Sequence, residues 1–177
     1  MVEFSRPIRI DTLGPAPRHV SIEANEAERA ALAQRFGLEA IHALAAEAEV
    51  VRRAESITAS GRVTAAVVQS CVATGEPVEE QVLEDFTLEF RPHPAVESPD
   101  EEIELGEGDL DVVFYDGAAV ELGDAVAETV SLALNPFPRS PAAEDALREA
   151  GVKSEEEAKA EASPFAGLAA LKDKLGG

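Results

Sequence analysis

Two alternating runs separated by a turn constrain this chain more than any other feature. From Val63 to Cys71, the residues Val63, Ala65, Val67 and Cys71 fall on one side, and Thr64, Ala66, Val68 and Ser70 on the other. After Ala73-Thr74-Gly75-Glu76-Pro77, the residues Val82, Phe86, Leu88 and Phe90 share a side opposite Asp85, Thr87, Glu89 and Arg91. Successive strand residues point to opposite faces, so a period of two describes half-buried strands, and the Gly- and Pro-bearing segment between them describes a reversal. A long β-hairpin with one apolar face is expected, and the rest of the chain must cover that face.

Local signals place the remaining elements. Short strands are expected at Arg6 to Ile10 and His19 to Ile22, around the turn-rich Leu13-Gly14-Pro15-Ala16-Pro17. Asn25 and Glu28 have capping-box spacing, Leu32 and Phe36 share a face, and Gly37 suits a left-handed end, which predicts a helix over 26–36. Across residues 39–54 the Ala and Glu content favours helix while Val50-Val51 favours strand, so a short helical turn followed by strand is expected. Pro92 to Asp109 is rich in Pro, Gly and acid and reads as an exposed loop. Leu110 to Tyr115 reads as strand, and Asp116-Gly117 predicts a two-residue hairpin into Ala118 to Glu121. Leu122, Val126, Val130 and Leu134 then mark an amphipathic helix stopped by Asn135-Pro136.

Beyond Pro141 come a weak helical stretch, Ala142 to Ala150, and a polar run, Lys153 to Glu161. Ser163 and Pro164 can open a last short helix in which Phe165, Leu168, Leu171 and Leu175 form an apolar stripe beside Lys172, Asp173 and Lys174. The fold expected is α+β: a mainly antiparallel β-sheet or partial barrel with two principal helices and an extended C-terminal helical tail. The single domain spans 1–140 with its acidic loop at 92–109, and a polar linker with the amphipathic helix spans 141–177.

Charge narrows the partners. The chain of 177 residues carries 35 acids against 15 bases, a formal charge of −20. Between Glu76 and Glu128 there are 18 acids and one base, Arg91, so that block alone holds −17. Nucleic-acid affinity rests largely on Lys and Arg displacing counterions, so this block is expected to face solvent or a cationic protein, not RNA or DNA. Asp100, Glu101, Glu102 and Glu104 are its densest part and the candidate contact surface. An EF-hand reading from Asp100 fails, because the sixth position holds Leu105 where Gly is required.

Catalytic and metal signatures are not found. There is no Gly-rich phosphate loop, His-Glu-x-x-His pair or nucleophile elbow, and His19, His42 and His93 are far apart in sequence. Neither an enzymatic activity nor a cofactor is expected. The lone Cys71 can form no intramolecular disulfide and reads as a small buried hydrophobe without chemistry. No apolar run approaches the roughly 20 residues that span a bilayer, and Met1 to Pro7 does not read as a secretion signal. A cytoplasmic location without membrane contact is expected.

Three segments in order resemble the bacterial YceD family: Gly61-Arg62-Val63 running into Gln69 to Val78, then Asp116-Gly117 through Val120-Glu121-Leu122 into Leu132-Ala133-Leu134-Asn135-Pro136, then Pro164-Phe165-Ala166-Gly167-Leu168-Ala169-Ala170-Leu171-Lys172. The resemblance implies a non-enzymatic part in the accumulation of large-subunit ribosomal RNA. Some members carry Cys-x-x-Cys at the strand–turn position, which implies a metal knuckle. Here that stretch is Cys71-Val72-Ala73-Thr74, and Ser140 offers no thiol in the later Pro-rich loop, so zinc is not carried over. The expected partner is a basic ribosomal protein or assembly factor, engaged by the acidic surface and by Phe165, Leu168, Leu171 and Lys172, with packing of that tail stripe on the protein's own sheet as the equal alternative. Ribosomal RNA would then be reached indirectly. The alternative is direct RNA contact through Arg6, Arg9, Arg18, Arg52, Arg53 and Arg62, without the aromatic platforms that stack bases, since the chain has no Trp and one Tyr.

Overall fold

A computed structural model describes residues 2–54, 56–93, 111–153 and Lys159. Its elements in order are β1 (Pro7–Arg9), a 3-10 turn (Ile10–Thr12), β2 (Arg18–Glu23), α1 (Glu26–Phe36), β3 (Ala40–Arg53), β4 (Ser56–Ser70), β5 (Pro77–Pro92), β6 (Asp111–Tyr115), β7 (Ala119–Glu121), α2 (Leu122–Ala133) and α3 (Ala143–Glu149). The fold is α+β. The expected hairpin is its centre: β4 and β5 pair antiparallel from Ile57↔Phe90 to Ser70↔Pro77.

Five strands form the main sheet in the order β2-β3-β4-β5-β6, and β1 pairs with β7 in a separate ribbon. The order ends at β2 and β6, so among the described residues the sheet is open and the partial barrel is not supported. All pairings in the main sheet are antiparallel except β5 with β6. Val50, Ile57, Val63, Val67, Leu44 and Phe90 supply fully buried side chains from the strands, while Leu32 on α1 and Leu122, Val126 and Val130 on α2 cover them. Each such side chain taken from water stabilises the fold by about 1.5–3 kcal/mol before entropy is counted.

The helix over 26–36 forms with the expected boundaries. The Asn25 side chain accepts from the Glu28 amide at 3.0 Å, the Glu28 carboxylate accepts from the Asn25 amide at 2.8 Å, and Gly37 closes the helix at φ 68°. The helix over 122–133 also forms, and the weak stretch near 142–150 becomes α3.

Two expectations are corrected. Residues 40–53 hold no helical turn; they form one strand, with a bulge between Ile41 and Ala43. Leu44, Ala46, Ala48 and Val50 alternate into the core while β2 and β4 pair on either side, and those ladders override the helix preference of Ala and Glu. Close approach of the strands is specified by Gly61, where a Cβ would collide with the Glu47 carbonyl oxygen. Asp116-Gly117 does make a turn, with Gly117 at φ 86°, but β6 and β7 do not pair across it. β7 is claimed by β1, supported by the bond from the Ile10 amide to the Ala118 carbonyl at 2.9 Å, while β6 joins β5 in parallel.

Beyond Pro92 and His93, the segment expected to be an acidic loop lies outside the described residues, as does the segment 163–175 expected to be a helix. Among the described residues no helix is long and apolar enough to cross a membrane.

Candidate functional site

The turn between β4 and β5 is drawn tight by its own backbone. The Cys71 amide donates to the Glu76 carbonyl at 2.7 Å, the Gly75 amide donates to the Cys71 carbonyl at 2.9 Å, and Gly75 sits at φ 73°. This places Cys71, Thr74 and Glu76 on one side of the reversal. The segment that leaves α2 comes to meet them: the Val72 amide donates to the Pro138 carbonyl at 2.9 Å, and the Ser140 amide donates to the Cys71 sulfur at 3.2 Å.

Side chains complete this corner. Ser140 Oγ donates to Glu76 Oε2 at 2.7 Å, and Thr74 Oγ1 lies 3.2 Å from both Glu76 Oε2 and Ser140 Oγ. Cys71 and Ser140 are buried, and Glu76 rims the cluster toward solvent. A second tether lies beside it. Glu80 accepts from the Gln69 amide group at 2.5 Å and from the Asn135 backbone at 3.3 Å, and Gln69 also donates to the Asn135 carbonyl at 3.2 Å.

The donors around Cys71 outweigh its burial. The Ser140 amide, then the Thr74 hydroxyl, favour the thiolate against the desolvation that would favour the thiol, and they bring the Cys71 pKa from 9.0 to about 6. The expectation of a featureless buried hydrophobe missed this. Its signal is divided between the turn and a serine distant in sequence, and no local pattern joins them.

The candidate partner-binding residues Asp100, Glu101, Glu102 and Glu104, and Phe165, Leu168, Leu171 and Lys172, lie outside the described residues. Within the described part of the acidic block, Glu79, Glu84 and Asp85 are exposed along β5. An open trough on the outer sheet face is lined by His19, Glu47, Glu49, Arg62 and Asp85 among others.

Of the arginines expected to make a basic face, all but Arg53 are engaged by a carboxylate, a backbone carbonyl or a hydroxyl. Arg6 holds both oxygens of Glu28 at 2.7 and 2.8 Å, Arg9 pairs with Asp11 at 2.6 Å, and Arg62 holds Asp85 at 2.6 and 3.0 Å. Arg52 donates to the Ile10 carbonyl at 3.3 Å and Arg18 to Thr12 at 3.1 Å, whereas Arg53 is exposed at the end of β3. Arg9, Arg18 and Arg52 gather around the turn at Ile10–Thr12, whereas Arg6 is held beside α1 and Arg62 on the outer face of β4, so the six do not make one continuous face.

The family described as "Large ribosomal RNA subunit accumulation protein YceD" matches residues 59–172. The chain belongs to the YceD family. The match begins within β4 and takes in the hairpin, the corner and the two tethers, and it runs on through the candidate tail segment. Membership ties the chain to accumulation of large-subunit ribosomal RNA. Comparison with curated proteins and with solved structures gives no match to either.

The metal knuckle implied for YceD members with Cys-x-x-Cys does not fit the donors present. Cys71 is the only thiol in the chain, and positions 74 and 140 bring hydroxyls that hydrogen-bond among Glu76, each other and the Cys71 sulfur. Zinc requires deprotonated sulfur, imidazole or carboxylate ligands, normally four. Among the described residues no group of three or more His, Cys, Asp or Glu could hold a metal ion. The histidines are elsewhere: His19 lies beside Glu49, His42 is in the β3 bulge, and His93 stacks on Phe114.

Proposed function

We propose that this YceD-family chain is a non-enzymatic factor in large-subunit ribosomal RNA accumulation. It works by binding a basic ribosomal or assembly protein. The acidic block, including Asp100, Glu101, Glu102 and Glu104, attracts the partner, and the stripe Phe165, Leu168 and Leu171 with Lys172 anchors it. The observation that carries this reading is unequal pairing: Glu79 and Glu84 stand exposed along β5, while Arg6, Arg9 and Arg62 are already paired with acids, Arg62 with Asp85 of that strand. Long-range attraction of this kind speeds association and weakens with salt, and burial of an apolar stripe slows dissociation.

The polar groups gathered at the corner bond to one another, which suits a scaffold more than a reaction centre. Cytoplasmic action, without a bound cofactor, follows from the same reading. Removing residues 160–177 tests the anchor: loss of the basic protein from a pull-down is expected, and undiminished recovery at matched salt would contradict it.

A further inference from the structure

We propose that the corner at the turn of the hairpin is a metal-independent hydrogen-bond clasp made by Cys71, Thr74, Glu76 and Ser140, and that positions 74 and 140 already have ligand geometry, so that thiols there would turn the clasp into a zinc site. The inference does not depend on the partner-binding reading above.

Three facts support it. First, residues 74 and 140 meet beside Cys71: the Ser140 amide is 3.2 Å from Cys71 Sγ, the Thr74 and Ser140 hydroxyl oxygens are 3.2 Å apart, and both side chains hydrogen-bond the sulfur. The two hydroxyl oxygens are carried on β-carbons, as thiols at 74 and 140 would be, and Cys71 supplies the third group. Second, the present donors close on themselves. Both hydroxyls are within hydrogen-bonding distance of Glu76 Oε2, the sulfur accepts from an amide, and among the described residues no buried side-chain nitrogen or oxygen lacks a partner. A metal would have to displace these bonds while gaining only one sulfur and one carboxylate.

Third, the connection that the clasp holds needs holding. Between the end of α2 at Ala133 and the start of α3 at Ala143 the chain has no regular element. Its attachments to the hairpin are the Pro138 carbonyl, the Ser140 amide and hydroxyl, and the Asn135 backbone. The same cross-link that several thiolates and an ion would provide is made by a cooperative set of hydrogen bonds with charged or polarised acceptors.

The test uses the full chain purified with zinc present and then desalted. Metal analysis and thermal unfolding with and without a chelator are read on the unmodified protein and on Thr74→Cys/Ser140→Cys. The unmodified chain is expected to retain no stoichiometric zinc and to melt at the same temperature with chelator. The double variant is expected to retain one zinc per chain, to show thiolate-to-metal absorption with cobalt, and to melt lower when chelated. Stoichiometric zinc in the unmodified protein, or chelator-sensitive melting of it, would overturn the metal-independent clasp. A folded double variant that takes neither zinc nor cobalt would overturn the ligand geometry. Should the double variant not fold, Ser140→Ala decides the clasp: a lower melting temperature is expected, still indifferent to chelator, and an unchanged one would contradict it.

Discussion

The Ser140 amide donates to the Cys71 sulfur at 3.2 Å, joining the end of the α2–α3 connection to the turn of the central hairpin. Because Cys71 is the only cysteine, its ionisation can be followed directly by thiolate absorbance. The neighbouring donors depress its pKa to about 6, so titration of the folded protein should centre there, and in denaturant near the ordinary thiol value. A depressed pKa stabilises the fold fully above the unfolded value and loses that contribution as pH falls through about 6. The melting temperature of the native chain relative to Cys71→Ala should therefore rise between pH 6 and pH 9. A flat difference would show that the thiolate is not favoured.

Glu28 serves two partners at once, closing the α1 capping box and holding Arg6 through both oxygens. Asn25→Ala removes one arm of the box and should cost about 1 kcal/mol in urea unfolding. Glu28→Ala removes the other arm and the Arg6 pair, and should cost about 1–2 kcal/mol. Arg6 also holds the Glu28 carboxyl below its ordinary pKa, so this stabilisation is complete above the ordinary value and fades as pH falls through the lower folded one. The gap between native and Glu28→Gln proteins should accordingly narrow in acid.

Gly123 lets the N-terminal segment cross the first turn of α2, because a Cβ there would collide with the Phe4 carbonyl oxygen. Phe4 itself is fully buried, with Arg6 lying 4.5 Å over its ring. Gly123→Ala should cost about 1–3 kcal/mol through that overlap, and Phe4→Ala about 3–5 kcal/mol through the cavity it leaves. Since the Gly123 overlap is with the Phe4 backbone, and losing the ring frees that segment to shift, the double variant should lose less than the sum, which a double-mutant cycle in urea measures.

What could be read from the sequence follows the range of the interactions. α1 was legible to the residue because Asn25, Glu28 and Gly37 are local signals that agree. The β4–β5 hairpin was legible because its alternation is long and its turn residues are distinct. β3 was misread because Ala46 and Ala48 are helix formers in isolation, and only the pairing with β2 and β4 makes them strand. Asp116-Gly117 specified a turn, yet the partner of β7 is β1, more than a hundred residues upstream. The corner was the least legible part: the cysteine and the serine that meet there are separated by β5, β6, β7 and α2.

The most direct test of the proposed function is affinity capture of the full chain at low salt, compared with a variant in which Asp100, Glu101, Glu102 and Glu104 are all replaced by Lys. Ribosomal proteins, assembly factors and ribosomal RNA are quantified with and without ribonuclease. The account predicts a basic large-subunit or assembly protein that survives ribonuclease, declines with added salt, and is lost from the charge-reversed chain although that chain melts normally. Capture of ribosomal RNA alone, or equal capture of the basic protein by both chains, would contradict it.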